Sequence, residues 1–403
     1  MSLTEETGRR VRLHRLTMVA EEDGVMIGRP DTGSYALFPA EGAATLNRLG
    51  SGAPLSEVAD WYEAEYGTPL DFDDFLEIIE DLGFLLGDGE EEPAPQPVRW
   101  RRLGRALFSI PAFTLYAALA LAAVVAMVRT PALRPSYNQL FFSSHISLIP
   151  IVLTLTQIPC ILAHEAFHAL AGRRLGLPSR LGIGRRLYFL VAETRLDSLM
   201  SVPRRKRYLP FLAGMVLDAV LVSALTLTAD ALTGHGIPHW IPAVCLAIGF
   251  STLLRLIWQF MFYLETDLYY VVSTALRCSD LQNATRFHIR SRVRTLLRRP
   301  PPPEPDADWS DRDRQVARWY APLLVAGYGF SLGSLVWAGI PTTVRFWTTV
   351  YHRVTAPHAP TSQYIDTAIF LAMAGTQFGL LGYVTVRDRR RRTRAKAAQG
   401  GNP

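Results

Sequence analysis

The chain has 403 residues, 49% hydrophobic and 19% charged, with a formal net charge of +6 and a mean hydropathy of +0.12. That is too apolar for an ordinary water-soluble protein and too polar for a bare membrane bundle, which leaves a mixed architecture. Residues 1–95 carry 6 Lys/Arg against 21 Asp/Glu and the remainder 36 against 15, so an acidic head precedes a basic, apolar body.

The opening MSLTEETGRR is polar and holds no apolar stretch of the signal-peptide kind, so no signal peptide is expected. Residues 10–95 read as a small α+β, winged-helix-like domain. LTMVA and VMIG are strand-like runs around the turn EEDG, and SYALF is a third. Helical patterns follow over Glu41–Leu49, Leu55–Tyr66 and Phe72–Leu82, with Asp71 as N-cap of the last, and GFLL then returns as a strand. The strongly negative charge argues against nucleic acid as a partner, because phosphates need the opposite sign. EEEPAPQP, Glu90–Pro97, reads as linker. Domain limits are therefore set at 1–95, a linker 96–106, a membrane domain 107–386 and a basic tail 387–403.

Six stretches approach the roughly 20 apolar residues that a bilayer core requires: Leu107–Val128, Ile146–Leu170, Leu209–Leu232, Ile241–Leu264, Tyr320–Ile340 and Tyr364–Val386. Their connections are alternately rich in Arg/Lys (RWRRLGR, PRRKR, RFHIRSRVRTLLRR, RDRRRRTRAK) and poor in it. The positive-inside rule then predicts a multi-pass protein of the cell membrane with both termini cytoplasmic. The stretch Leu175–Arg207 has β-prone runs inside a basic connection. It is expected either as a surface hairpin whose edge holds an extended peptide or as a loop anchored by Tyr188 and Phe189. RRPPPPEPD, Arg298–Asp306, is a stiff spacer, and the Arg-rich tail suits anionic lipid.

The chemistry concentrates in IPCILAHEAFHALAG, Ile158–Gly172. His164 and His168 lie four apart and so share one helix face, where both imidazoles can reach one metal ion. Glu165 between them can hold and deprotonate a water there. Cys160, one turn earlier, reads as a packing residue. A tetrahedral catalytic zinc usually takes three protein ligands, so a third is missing. The predicted fourth span ends in LETDLYY at matching depth, offering Glu265 or Asp267. Asp218, inside the third span, suits an orienting partner for a histidine, a substrate contact or an alternative ligand. Arg255 is read as its neutralising partner, and Ala213 and Gly214 as small residues for close helix packing.

These residues resemble the site-2-protease family of intramembrane zinc metalloproteases. The resemblance covers about residues 145–280 and rests on HEAFHALAGRRLGL, LAGMVLDAVL and LETDLYYVV. The branch of putative peptide zinc metalloproteases shares the double tyrosine, here Tyr269-Tyr270. The resemblance implies one zinc ion held by His164, His168 and Asp267, with Glu165 as general base. Asp218, Arg255 and Glu265 are left as candidates for substrate contact or support of the ligands. The chain departs from the family at Leu268, where glycine is common, at Asp218, where asparagine is expected, and in having no proline after Gly214. Residues 10–95, through LFPAEGAATLNRL and LSEVADWYEAEYG, resemble PqqD-like domains that bind leader segments of ribosomally made peptides. Together they imply an endopeptidase acting on a peptide or membrane-protein substrate. The competing expectations are a catalytically inactive membrane-bound binding or escort protein and, on Asp218 and Arg255 alone, a transporter component.

Overall fold

In this computed structural model the described residues run from 10 to 399, apart from 23, 88, 91–96, 187–188, 196, 279, 301, 303–308, 335, 337–339 and 356–359. The expected linker over 91–96, most of the proline spacer, Tyr188 and residues 400–403 lie outside them.

The chain opens with an antiparallel sheet, β1 (Thr17–Glu21), β2 (Gly24–Arg29) and β3 (Ser34–Phe38), in that order across the sheet. Three helices follow, α1 (Ala40–Gly50), α2 (Leu55–Tyr66) and α3 (Phe72–Asp81). The Asp71 side chain accepts from the Asp74 amide at 3.2 Å and caps α3 as predicted. Alternation along β2 and the helix period of α1–α3 send Ile27, Leu46, Val58, Phe75 and Ile79 into one buried core. The predicted strand over GFLL shrinks to one bridge, Leu85 opposite Leu13. Its neighbour Phe84 gives its amide to the Ile79 carbonyl at 2.8 Å, closing α3 instead of extending a strand.

Next come α4 (Arg101–Leu107), α5 (Ile110–Arg129) and α6 (Leu148–Arg174), then the antiparallel hairpin β4 (Arg180–Arg186) and β5 (Phe189–Arg195). α7 (Arg204–Leu232), α8 (Trp240–Trp258), α9 (Asp267–Leu276), α10 (Leu281–Leu296), α11 (Asp311–Ser334), α12 (Ile340–Thr355) and α13 (Thr361–Gln399) complete the chain. Among the described residues four helices, α5 to α8, are long and apolar enough to cross a membrane. Leu115, Leu121, Leu155 and Leu162 stand outward and exposed on α5 and α6, the placement that hydrocarbon surroundings favour and water does not. The last two predicted spans fall on α11, whose continuation lies partly outside the described residues, and on α13. α12 was not anticipated.

α7 is the central helix, touching α5, α6, α8 and α9. α8 stops at Trp258, short of the predicted Leu264, and a 3-10 turn over Phe262–Leu264 intervenes. Glu265 then takes the left-handed conformation at φ 59°, which costs a side-chain-bearing residue about 1 kcal/mol. That turn lets Asp267 begin a new helix instead of ending the old one.

The N-terminal sheet docks on the start of α7. Glu21, at the end of β1, is buried between Arg204 and Arg207, with Arg207 Nη2 at 2.7 Å from its Oε1. Glu22 pairs with Arg277. Ser198, in the 3-10 turn Asp197–Ser201 after β5, donates its hydroxyl to the Pro30 carbonyl at 3.0 Å.

Candidate metal centre

Three donor atoms from two helices meet beside α7. On α6, the one-turn spacing aims the Nε2 atoms of His164 and His168 at the same point, 3.1 Å apart. Asp267, in the first turn of α9, brings Oδ2 to 3.1 Å from His164 Nε2 and 3.2 Å from His168 Nε2. Gln259 fixes this approach: its side-chain oxygen accepts the Asp267 amide at 3.1 Å, and its carbonyl accepts the Thr266 hydroxyl at 2.7 Å. The group is enclosed, with His164 4% and His168 5% exposed.

The outer nitrogens set the tautomer of the neutral rings. His168 Nδ1 lies 2.7 Å from the Pro210 carbonyl, and His164 Nδ1 lies 3.0 Å from Asp218 Oδ2. A carbonyl and a carboxylate only accept, so Nδ1 carries the hydrogen in both rings and each neutral ring keeps its lone pair on Nε2. With both rings neutral, two lone pairs and a carboxylate oxygen face one another at 3.1–3.2 Å, an arrangement that needs a proton or a metal ion between them. Tetrahedral ligands at 2.0–2.1 Å from an ion stand about 3.3–3.4 Å apart, close to the spacing found. His164, His168 and Asp267 can therefore hold a metal ion.

Gly214 of α7 supplies the room. A Cβ added there would run into Nε2 of both histidines and Cε1 of His164, so even one methyl group would occupy the space a metal requires. The packing role expected of this glycine is seen, since α7 does come close, and its bare backbone also leaves space against both Nε2 atoms. Ala213 is fully buried and packs with Phe108 and Ala171.

Glu165, 9% exposed, is held by Thr194 of β5. The Thr194 hydroxyl is 2.9 Å from Glu165 Oε2 and 2.8 Å from the Glu165 carbonyl. The hairpin forms where β-prone runs were noted, and it is tied to the glutamate of the motif.

The other candidates fall in two places. Asp218 is fully buried and accepts from Arg255 through both oxygens, Nε to Oδ2 at 3.1 Å and Nη2 to Oδ1 at 2.6 Å. Glu265 lies apart from the ligands, with Oε1 2.9 Å from Arg286 Nη2 on α10. Cys160 is half-buried and not one of the converging groups. Sequence reasoning missed Thr194, Gln157, Pro210 and the metal-side role of Gly214, because each acts across helices far apart in sequence. No protein-family model, curated protein or solved structure matches the chain.

Proposed function

We propose that this chain is a membrane-embedded zinc endopeptidase, similar to the site-2-protease family. One observation supports this most strongly: two imidazoles with their outer nitrogens already committed as donors, and one carboxylate, turn bare acceptor atoms on a single point. Nitrogen and oxygen donors in threefold array suit a catalytic zinc, which takes three protein ligands. When bound, the ion would polarise a peptide carbonyl and lower the pKa of water.

The residues of the chain divide the remaining work. Glu165 takes the proton of the attacking water and returns it to the leaving amine. Thr194, whose single hydroxyl hydrogen is shared between that carboxylate at 2.9 Å and the Glu165 carbonyl at 2.8 Å, steadies its direction. His164, His168 and Asp267 hold the ligand triangle, and Gly214 keeps it clear. In this reading the membrane domain has six crossings, with α11 and α13 joining the four apolar helices. The basic connections support a cytoplasmic location for both termini. The acidic N-terminal domain, PqqD-like in its order of strands and helices, captures a peptide by strand addition and raises its concentration near the site.

The test compares wild-type protein with Glu165→Gln in nanodiscs. Zinc is measured by mass spectrometry and cleavage on a pooled synthetic peptide library. Equal zinc with cleavage lost in the variant is expected. Cleavage at the wild-type rate would sink the proposal. Zinc without cleavage in either protein would point to the binding or escort protein.

A further inference from the structure

We propose that Asp218 and Arg255 act together as a positioning unit for His164, fixing which ring nitrogen faces the metal. The inference deepens the metal-site reading and rests on it. Asp218 lies one turn beyond Gly214 on α7, so the two share a helix face. Gly214 clears the Nε2 edge of the His164 ring, and Asp218 receives its Nδ1 edge at 3.0 Å.

A lone carboxylate on an apolar helix would be costly and free to turn. Arg255 removes both problems. Its fork takes Oδ1 and Oδ2 at 2.6 and 3.1 Å, a two-point grip that leaves the carboxylate no rotation. Its third arm, Nη1, reaches Gln157 Oε1 at 2.8 Å. Gln157 stands on α6, seven positions before His164 and so two turns away on the same face. Its amide lies 3.3 Å from the Ile248 carbonyl and 3.4 Å from Thr252 Oγ1 on α8.

The unit thus clamps α6, α7 and α8 at the depth of the first ligand. Oδ2, an acceptor already held by Arg255 Nε, can satisfy His164 only if the ring hydrogen sits on Nδ1. In the neutral, metal-binding ring Nε2 is then left bare toward His168 and Asp267. His168 has a backbone carbonyl for the same purpose, which no side-chain substitution removes. The two ligands are therefore oriented by unlike means, and only one of them is open to this test.

A buried ion pair also holds helices together, and the experiment separates that role from positioning. Asp218→Leu alone leaves Arg255 unpaired and risks the fold. The double variant Asp218→Leu/Arg255→Leu removes both charges, a replacement that buried pairs often tolerate. The double variant is expected to elute in detergent as wild type does and to keep a native-like cooperative unfolding transition, lowered by a few degrees because His164 Nδ1 and Gln157 Oε1 lose their partners. Its zinc Kd, by chelator competition, is expected to be about 10–100-fold weaker, and the visible spectrum of its cobalt form shifted. Asp218→Asn, nearly isosteric, keeps an acceptor but loses the charge, so its zinc affinity is expected between the two.

A double variant with native-like unfolding, wild-type zinc Kd and an unchanged cobalt spectrum would overturn the proposal and leave a structural pair only. If the double variant does not fold, wild-type zinc affinity in Asp218→Asn overturns it. Wild-type protein that binds neither zinc nor cobalt takes down the parent reading and this one together.

Discussion

Replacing Gly214 by alanine tests the placement of the metal directly. Glycine inside a helix costs roughly 0.5–1 kcal/mol relative to alanine, which offsets part of the roughly 1–3 kcal/mol that overpacking against two buried rings costs, so the apo protein should lose no more than about 2 kcal/mol. The effect on metal binding should be larger. The new Cβ would meet Nε2 of both histidines far inside the 3.4 Å at which ordinary van der Waals contact begins. Relieving that overlap requires the rings to withdraw by about 1 Å, whereas a ligand set tolerates about 0.5 Å before it stops working. We expect zinc affinity to fall by at least about 100-fold, or roughly 2.7 kcal/mol. Chelator competition reads the affinity, and thermal unfolding of the metal-free protein reads the fold. A Gly214→Ala protein that binds zinc as wild type does would refute the placement of the metal beside α7. A large drop in apo stability would show instead that the rings cannot move at all.

Three further outcomes follow from single contacts. Thr194→Val keeps the shape of the side chain but removes a hydrogen bond to a charged group, worth about 1.5–3 kcal/mol. Turnover should fall roughly 10–100-fold with zinc content unchanged, and equal turnover would show that the hydroxyl does not guide Glu165. Arg286→Ala breaks an exposed pair with Glu265, so stability should change by less than about 1 kcal/mol and zinc binding not at all. Zinc loss there would return Glu265 to the list of ligands. Glu21→Ala leaves Arg207, buried at 4% exposure, without its carboxylate, with only the Val202 and Met200 carbonyls still accepting from it. It should cost roughly 3–5 kcal/mol of stability, visible as a lowered unfolding temperature, and a neutral result would mean that the docking contact forms only loosely.

The helical half of this fold was readable because membrane-length apolar runs and the 3.6-residue period are local signals. β1 to β3 and α1 to α3 fall where the strand runs, turns and the Asp71 cap placed them. His164, Glu165 and His168 announce themselves by spacing alone. Asp267 was reached through depth and resemblance, but its mode of arrival was not. The end of α8 at Trp258 and the turn at Glu265 depend on Gln259 binding back to Thr266 and Asp267, a contact with no periodic trace. Gly214 looked like any small residue in an apolar helix, since only the approach of α7 to α6 gives its missing side chain a purpose. Thr194 was hidden for a related reason: nothing along β5 marks which residue will meet a helix 29 positions earlier. α12, with its mixed apolar and charged sequence, offers too little hydrophobicity to stand out as a span.

The docked sheet bears on how the two ends of the molecule influence one another. Pro30 is fastened to Ser198, and four positions earlier in the same chain Thr194 grips the carboxylate of Glu165. The contact to the N-terminal body and the contact to the glutamate are therefore made by residues only four positions apart. So short a length of sequence between them means that a change at one contact is felt close to the other.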